Sequence, residues 1–271
     1  MTAIIDPVTG LKMYELSHPW GYNAPTFPGY EDVKLERITY HAKHGVMTQK
    51  FTATMHVSTH VNAPIHLIPG AKGVGSIAMD RFFGSGVVLN LPKKKWEVIT
   101  VADLEKATPA IEEDDIVIIN TGWHHRYADS QEYFGHAPGL SKEAAQWLVA
   151  KKVKLVGLDT ATIDHPLATS LGPHRNGPQI RELPGHYKEV TGRDAKKDFP
   201  EWNVAHKTLL AAGIPTIENV GGDVDSVNGK RTTFHAYPWL WKDGDACVIR
   251  LMAMFDSKGD YRLESGERVV S

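Results

Sequence analysis

Residues 52–67 read TATMHVSTHVNAPIHL and hold three histidines, His56, His60 and His66, together with Asn62 and Pro64. From Thr52 to Asn62 the even positions are polar and the odd ones mostly apolar, the alternation of a strand with one buried face. An extended strand rises about 3.3 Å per residue, which would set His56 and His60 about 13 Å apart. One ion with bonds of about 2.1 Å cannot reach both. If the two histidines share a ligand, the chain must coil after about Val57. One helical turn of about 5.4 Å pitch would bring them together, and Pro64 would end that turn. The segment therefore predicts a strand that breaks into a tight turn at a metal site. His-x3-His supplies two neutral nitrogen donors and Asn62 an oxygen. His66, further on, is placed to move protons rather than to bind the same ion. Spacing alone also fits histidines hydrogen-bonded in a core.

The chain of 271 residues is long enough for one large domain or two small ones. Its formal net charge is −2, with no basic block, which argues against a nucleic-acid partner. Lys93-Lys94-Lys95 reads as a solvated loop. The single cysteine, Cys247, lies in the apolar run ACVIRLMAMF and reads as a buried, inert thiol. No apolar run is long enough to cross a bilayer. The opening MTAIIDPVTGLKMYEL has neither a basic head nor a long apolar core, so no signal peptide is expected and a cytoplasmic protein is the expectation. The outlier in the composition is the 14 histidines.

Apolar runs at 86–91, 115–123, 153–160 and 245–255 read as buried strands, as does IPTIENV at 214–220. Helices are expected at 101–107 with Thr100 as N-cap, at 141–152 with Ser141 as cap, and at 203–213 with Asn203 as cap and Gly213 as stop. The alternation of strand and helix makes the class α/β. Residues 172–202, rich in Pro, Gly and charge, read as a long lid or binding loop. The first fifty residues read as an irregular arm, either a surface meander or a pocket wall.

The segment HVSTHVNAPIH resembles the signature of the cyclase-like metal hydrolases, the bacterial kynurenine formamidase and isatin hydrolase type: His-x-Gly-Thr-His-x-Asp-x-Pro-x-His. It matches at His56, Thr59, His60, Pro64 and His66. It departs at Ser58, where the pattern has glycine, and at Asn62, where it has aspartate. The likeness continues in VIINTGWHHRY, GLDTATID, AHKTLLAAGIPTIENV and FHAYPWLWKDGDACVIRLMA, so it covers most of the chain from about residue 50 in the family's order.

The resemblance implies a swivelling β/β/α fold over 1–271 as a single hydrolase domain, assembled as a homodimer or homotetramer. It also implies manganese or zinc, and hydrolysis of a C–N bond in a small amide, formamide or cyclic amide, or sometimes of a lactone. His56, His60, Asn62, His206 and Glu218 match metal-ligand positions, and His66 matches the catalytic histidine. From the residues themselves, Glu218 falls at the C-terminal end of a strand, where α/β sheets gather polar chemistry. A carboxylate buried in the apolar TIENV would need a partner such as a cation.

At Asn62 an amide replaces a charge that could bridge two cations. This points to a single ion held by His56, His60 and Glu218, or to a non-catalytic binding relative. Trp20, Tyr22, Phe27, Tyr30, Phe82 and Phe83 could line an aryl pocket, with Trp20 and Phe27 taken as substrate contacts, although core packing is the favoured reading for any one of them. Arg175, in GPHRNG, could grip a substrate carboxylate. His124 and His125 could enter the site or end a surface loop.

Overall fold

The run Ile116–Asn120 is buried at every position, which demands cover on both faces of the sheet that holds it. The computed structural model describes residues 3–261 and 263. In chain order the strands are β1 (Ile4–Ile5), β2 (Lys12–Glu15), β3 (Lys34–Thr39), β4 (Thr48–Thr52), β5 (His60–Asn62), β6 (Phe83–Asn90), β7 (Val98–Ile99), β8 (Ile116–Asn120), β9 (Gly139–Leu140), β10 (Leu155–Leu158), β11 (Thr216–Glu218), β12 (Lys230–His235), β13 (Ala246–Val248) and β14 (Met252–Phe255). The helices are α1 (His41–His44), α2 (Val101–Lys106), α3 (Gln131–Gly135), α4 (Lys142–Ala150), α5 (Leu183–Thr191), α6 (Ala195–Asp198) and α7 (Val204–Ala211). The fold is mixed α/β around a ten-stranded sheet in the order β1-β2-β14-β12-β6-β8-β10-β11-β5-β13.

The centre, β6-β8-β10-β11, is parallel. Both flanks are antiparallel, with β12, β14, β2 and β1 on one side and β5 and β13 on the other. Alternate residues of the central strands serve opposite cores. Val117, Ile119, Val156 and Leu158 pack under α4 and α7, against Ala144, Leu148, Ala205 and Leu209. Ile116, Ile118 and Leu155 face the other way, towards Val61, Ile217, Phe234 and Cys247. The cysteine is buried, and burial raises its thiol pKa, as an inert core residue requires.

Thr100 and Asp103 form a reciprocal capping box at α2, and the Ser141 side chain caps α4. Asn203 does not cap α7: it is left-handed, at φ 46°, with no side-chain bond to the helix. Asp164, beyond β10, replaces it by accepting the Ala205 and His206 amides at 2.7 and 3.0 Å. The run at 245–255 is two strands rather than one, with β13 beside β5 and β14 between β2 and β12. The N-terminal arm is less irregular than expected, since β2 pairs with β14 and β3 pairs with β4 as a separate hairpin. The stretch 172–202 folds into α5 and α6. No helix among the described residues is long and apolar enough to cross a membrane.

Gly86 lies where β6 meets both β8 and β12, and a Cβ there would fall 1.9 Å from the Ile116 carbonyl oxygen. Gly86→Ala should destabilise the protein by about 3 kcal/mol, because the obstacle is backbone in the sheet centre. Urea unfolding measures it, and an unchanged midpoint would refute this account of the strand contact.

Candidate metal centre

The histidine segment reaches its site by a kink, not by a helical turn. After β4 the chain runs irregularly to Ser58, whose φ of +58° is left-handed, and β5 begins at His60. That one backbone reversal turns His56 and His60 towards each other, with ring centroids 5.2 Å apart. A left-handed residue is what glycine accommodates best, which accounts for the glycine in the resembling pattern. Here Ser58 is fully buried and its Oγ donates to the His18 and Pro19 carbonyls, at 2.9 and 3.2 Å. Pro64 opens a 3-10 turn (Pro64–His66) instead of closing one. This turn folds His66 back to 4.3 Å from His56, ring to ring.

β5 is clamped between β11 and β13, with His60 opposite Glu218 and Asn62 opposite Thr216. His60 Nδ1 donates to the Ser58 carbonyl at 2.8 Å. In the neutral ring this leaves Nε2 as a bare lone pair, and that atom has no hydrogen-bond partner although it lies 3.0 Å from Glu218 Oε2. Two acceptors this close, both buried, call for a cation between them. Asn62 is fully buried and its Oδ1 is likewise without a partner, while its amide nitrogen meets His206 Nε2 at 3.2 Å and Thr216 Oγ1 at 3.4 Å. His206 Nε2 is 3.4 Å from Glu218 Oε1, and its Nδ1 is 3.4 Å from Asp164 Oδ2. Asp164 therefore holds both the helix end and the imidazole it carries.

Asp245 is the carboxylate that sequence reasoning missed. It directly precedes β13, accepts the Ala63 amide on its own carbonyl, and sets Oδ2 2.8 Å from His56 Nε2 and 3.8 Å from His66 Nδ1. His56, His66 and Asp245 form a compact group that could hold a metal ion. His66 thus lies as close to metal-grade donors as the His-x3-His pair does. The available signal was the register: Ala246 pairs with Asn62, so the residue before it falls beside the site.

The local charges agree with a cation site. Burial would raise the Glu218 carboxyl, but the neighbouring His206, His60 and Asn62 hold it at about 2. The hydrogen bond from His56 and the nearby His66 ring hold Asp245 far below the usual carboxylate range. Burial pushes His56 down to about 4, which keeps it a neutral donor at neutral pH. Burial alone would lower His206 too, but Glu218 and Asp164 raise it. The donors present, four imidazoles, two anionic carboxylates and an orphaned amide oxygen, fit a divalent ion.

The cavity above them holds about 270 Å³. Phe27 and Arg175 line it as expected, joined by Tyr30, Phe134, Trp202 and Asn203. Tyr30 stacks on His56 with centroids 5.5 Å apart, and the Arg175 guanidinium lies 4.2 Å over the Trp202 ring. Trp20 does not reach this cavity. It packs edge-on to Phe51 and lines a separate groove with His18 and His124. His124 and His125 also lie outside the cavity, against Asp225.

A family model described as "Putative cyclase" matches residues 14–165. The chain is 24% identical over 172 residues to the kynurenine formamidase of Bordetella pertussis, covering 60% of this chain and 76% of that protein. Its fold is similar to isatin hydrolase A from Labrenzia aggregata, with a TM-score of 0.70 at 20% identity over 90% of this chain and 93% of the other. It is also similar to a structure described as a potential metal-dependent hydrolase with cyclase activity, with a TM-score of 0.60 at 20% identity, covering 90% and 98%.

Two opposed terms meet at Ser58: the left-handed backbone costs about 1 kcal/mol, and its buried hydroxyl returns about the same. Ser58→Ala keeps the strain and loses the bonds, so it should destabilise by about 1–2 kcal/mol. Ser58→Gly should stay closer to the parent in thermal unfolding. A glycine variant no more stable than the alanine variant would overturn the backbone explanation.

Proposed function

The chain belongs to the cyclase family, and on that footing we propose that it is a metal-dependent hydrolase cleaving the C–N bond of a small amide, formamide or cyclic amide. The observation that carries the reading is the buried contact of His60 Nε2 with Glu218 Oε2, two acceptors at 3.0 Å. Similarity to proteins named kynurenine formamidase and isatin hydrolase favours an amide or cyclic amide. His56, His60, His206 and Glu218, with the Asn62 amide oxygen, are the residues that would hold the ion, with Asp245 beside them. Manganese or zinc suits these donors. A divalent ion supplies there a Lewis acid that polarises a carbonyl and acidifies water.

The chain's own residues supply the remaining chemistry. His66 lines the cavity and is the proton carrier, with Asp245 orienting its ring. Asp164 steadies His206. Phe27, Phe134 and Trp202 form a wall suited to a planar ring, and Arg175, held flat on Trp202, offers its fork to a substrate carboxylate. Asn62 sets its amide nitrogen against His206 and Thr216, where a carboxylate would instead add a second anion beside Glu218. A single ion at this centre follows. The proposal includes one hydrolase domain over 1–271, assembled as a homodimer or homotetramer in the cytoplasm.

A screen over aryl formamides, isatin, cyclic imides and lactones, run with added manganese or zinc, tests the activity. Turnover of lactones alone would make the protein an ester hydrolase instead. His60→Ala should lose one equivalent of bound divalent ion by elemental analysis, and unchanged metal content would remove His60 from the ligand set.

His66→Ala should keep the ion and lose about 10²–10⁴ in turnover, the scale of a general acid–base group. Parallel loss of metal would make His66 a ligand.

Asn62→Asp should tighten divalent binding and admit a second ion at this centre, because it adds a second buried carboxylate beside Glu218. Metal titration of the apo forms reads this, and equal affinity and stoichiometry in both proteins would place residue 62 outside the ligand shell.

A further inference from the structure

A second histidine–carboxylate cluster lies beyond the C-terminal end of β8. His124 and His125 share the 3-10 turn Trp123–Arg126, and Asp225 lies on the 3-10 turn Val224–Val227. His124 Nε2 is 3.3 Å from Asp225 Oδ2, and His125 Nε2 is 2.9 Å from the same oxygen. We propose that His124, His125 and Asp225 form a binding site for a second divalent transition-metal ion, separate from the cavity of His56 and Glu218.

The surroundings orient two of the three donors, His124 and Asp225. Behind His124, the fully buried Asp159 accepts its Nδ1 at 3.1 Å. Asp159 is itself fixed by the amides of Thr121, Trp123 and His124 and by the Thr121 hydroxyl. A carboxylate behind one imidazole nitrogen aims the other nitrogen and raises its basicity, the usual outer support of a metal-bound histidine. Asp225 is held in the same way. Asn120 and Asn228 donate to its Oδ1, at 2.8 and 3.4 Å, so that Oδ2 is turned to the two histidines.

In a tetrahedral site with bonds of about 2.0–2.1 Å, neighbouring donor atoms stand about 3.3 Å apart. The two nitrogen–oxygen distances fall at or just inside that spacing. The side chains of His125 and Asp225 are 63% and 48% exposed, so the remaining coordination positions open to solvent. Two imidazoles and one carboxylate select zinc, cobalt, nickel or copper over calcium and magnesium, which require oxygen donors.

The test is zinc titration of the chelator-stripped full chain by calorimetry, comparing the parent with His125→Ala and Asp225→Asn. Both changes are at exposed side chains, and circular dichroism checks the fold. The parent should bind one equivalent more than either variant, or bind that equivalent at least tenfold more tightly. To separate this site from the central one, His56→Ala/His60→Ala should retain one zinc that disappears when His125→Ala is added. This comparison succeeds or fails whether or not the chain is a hydrolase. Identical isotherms for the parent, His125→Ala and Asp225→Asn would overturn the proposal. So would displacement of the retained zinc by millimolar magnesium.

Discussion

A lone pair that faces a carboxylate in a buried strand pair sets the terms for the whole centre. Once the Ser58 carbonyl takes the Nδ1 proton of His60, the opposite nitrogen can only accept, and antiparallel pairing puts Glu218 in front of it. Burial removes the water that would otherwise separate the two. The sheet, by fixing that register, builds a demand for positive charge into its own edge. Ser58 does more than kink the chain, because its carbonyl also accepts the Asn219 amide at 2.9 Å, and Asn219 in turn accepts the Tyr133 hydroxyl at 2.6 Å. The orientation of one imidazole is thus tied through three residues to the aromatic core under the cavity wall.

Asp164 performs a parallel service from the other side. A helix that begins with buried amides needs a capping oxygen, and Asn203, left-handed, does not provide it. Asp164 reaches across from the end of β10 to take two of those amides and also faces His206 Nδ1. Helix position and imidazole orientation therefore depend on the same carboxylate. A change at Asp164 would disturb the packing of α7 and the donor direction of His206 together.

Much of this was legible in the sequence wherever local rules decide. The apolar runs at 115–123 and 153–160 located β8 and β10, and Thr100 and Ser141 marked true helix starts. His206 and Glu218, positions matched through the resemblance of a separate segment, converge on His60 and Asn62 from α7 and β11. What failed was non-local. The break expected after about Val57 falls at Ser58, but as a single left-handed residue rather than a helical turn, and β4 before it belongs to a separate hairpin. No spacing rule registers that residue, because serine is not the usual sign of such a backbone. Asp245 was hidden for a related reason: its neighbours Asn62 and Ala63 are about 180 residues away in sequence, and only the β5–β13 register brings it in. Trp20 was assigned by aromatic character alone, and character does not say which of two grooves a ring will line.

The amide at residue 62 is intelligible within the same frame. A carboxylate there would lie on the same face as Glu218, two residues along the strand pair, and two buried anions so placed stand together only if cations lie between them. The amide brings no charge, sets its nitrogen against His206 and Thr216, and leaves one oxygen unpartnered. The second carboxylate near the centre, Asp245, lies on the opposite side, bonded to His56 and close to His66. Negative charge has not been removed from the centre so much as concentrated away from residue 62. It lies next to His56 and His66, apart from the donors that face Glu218.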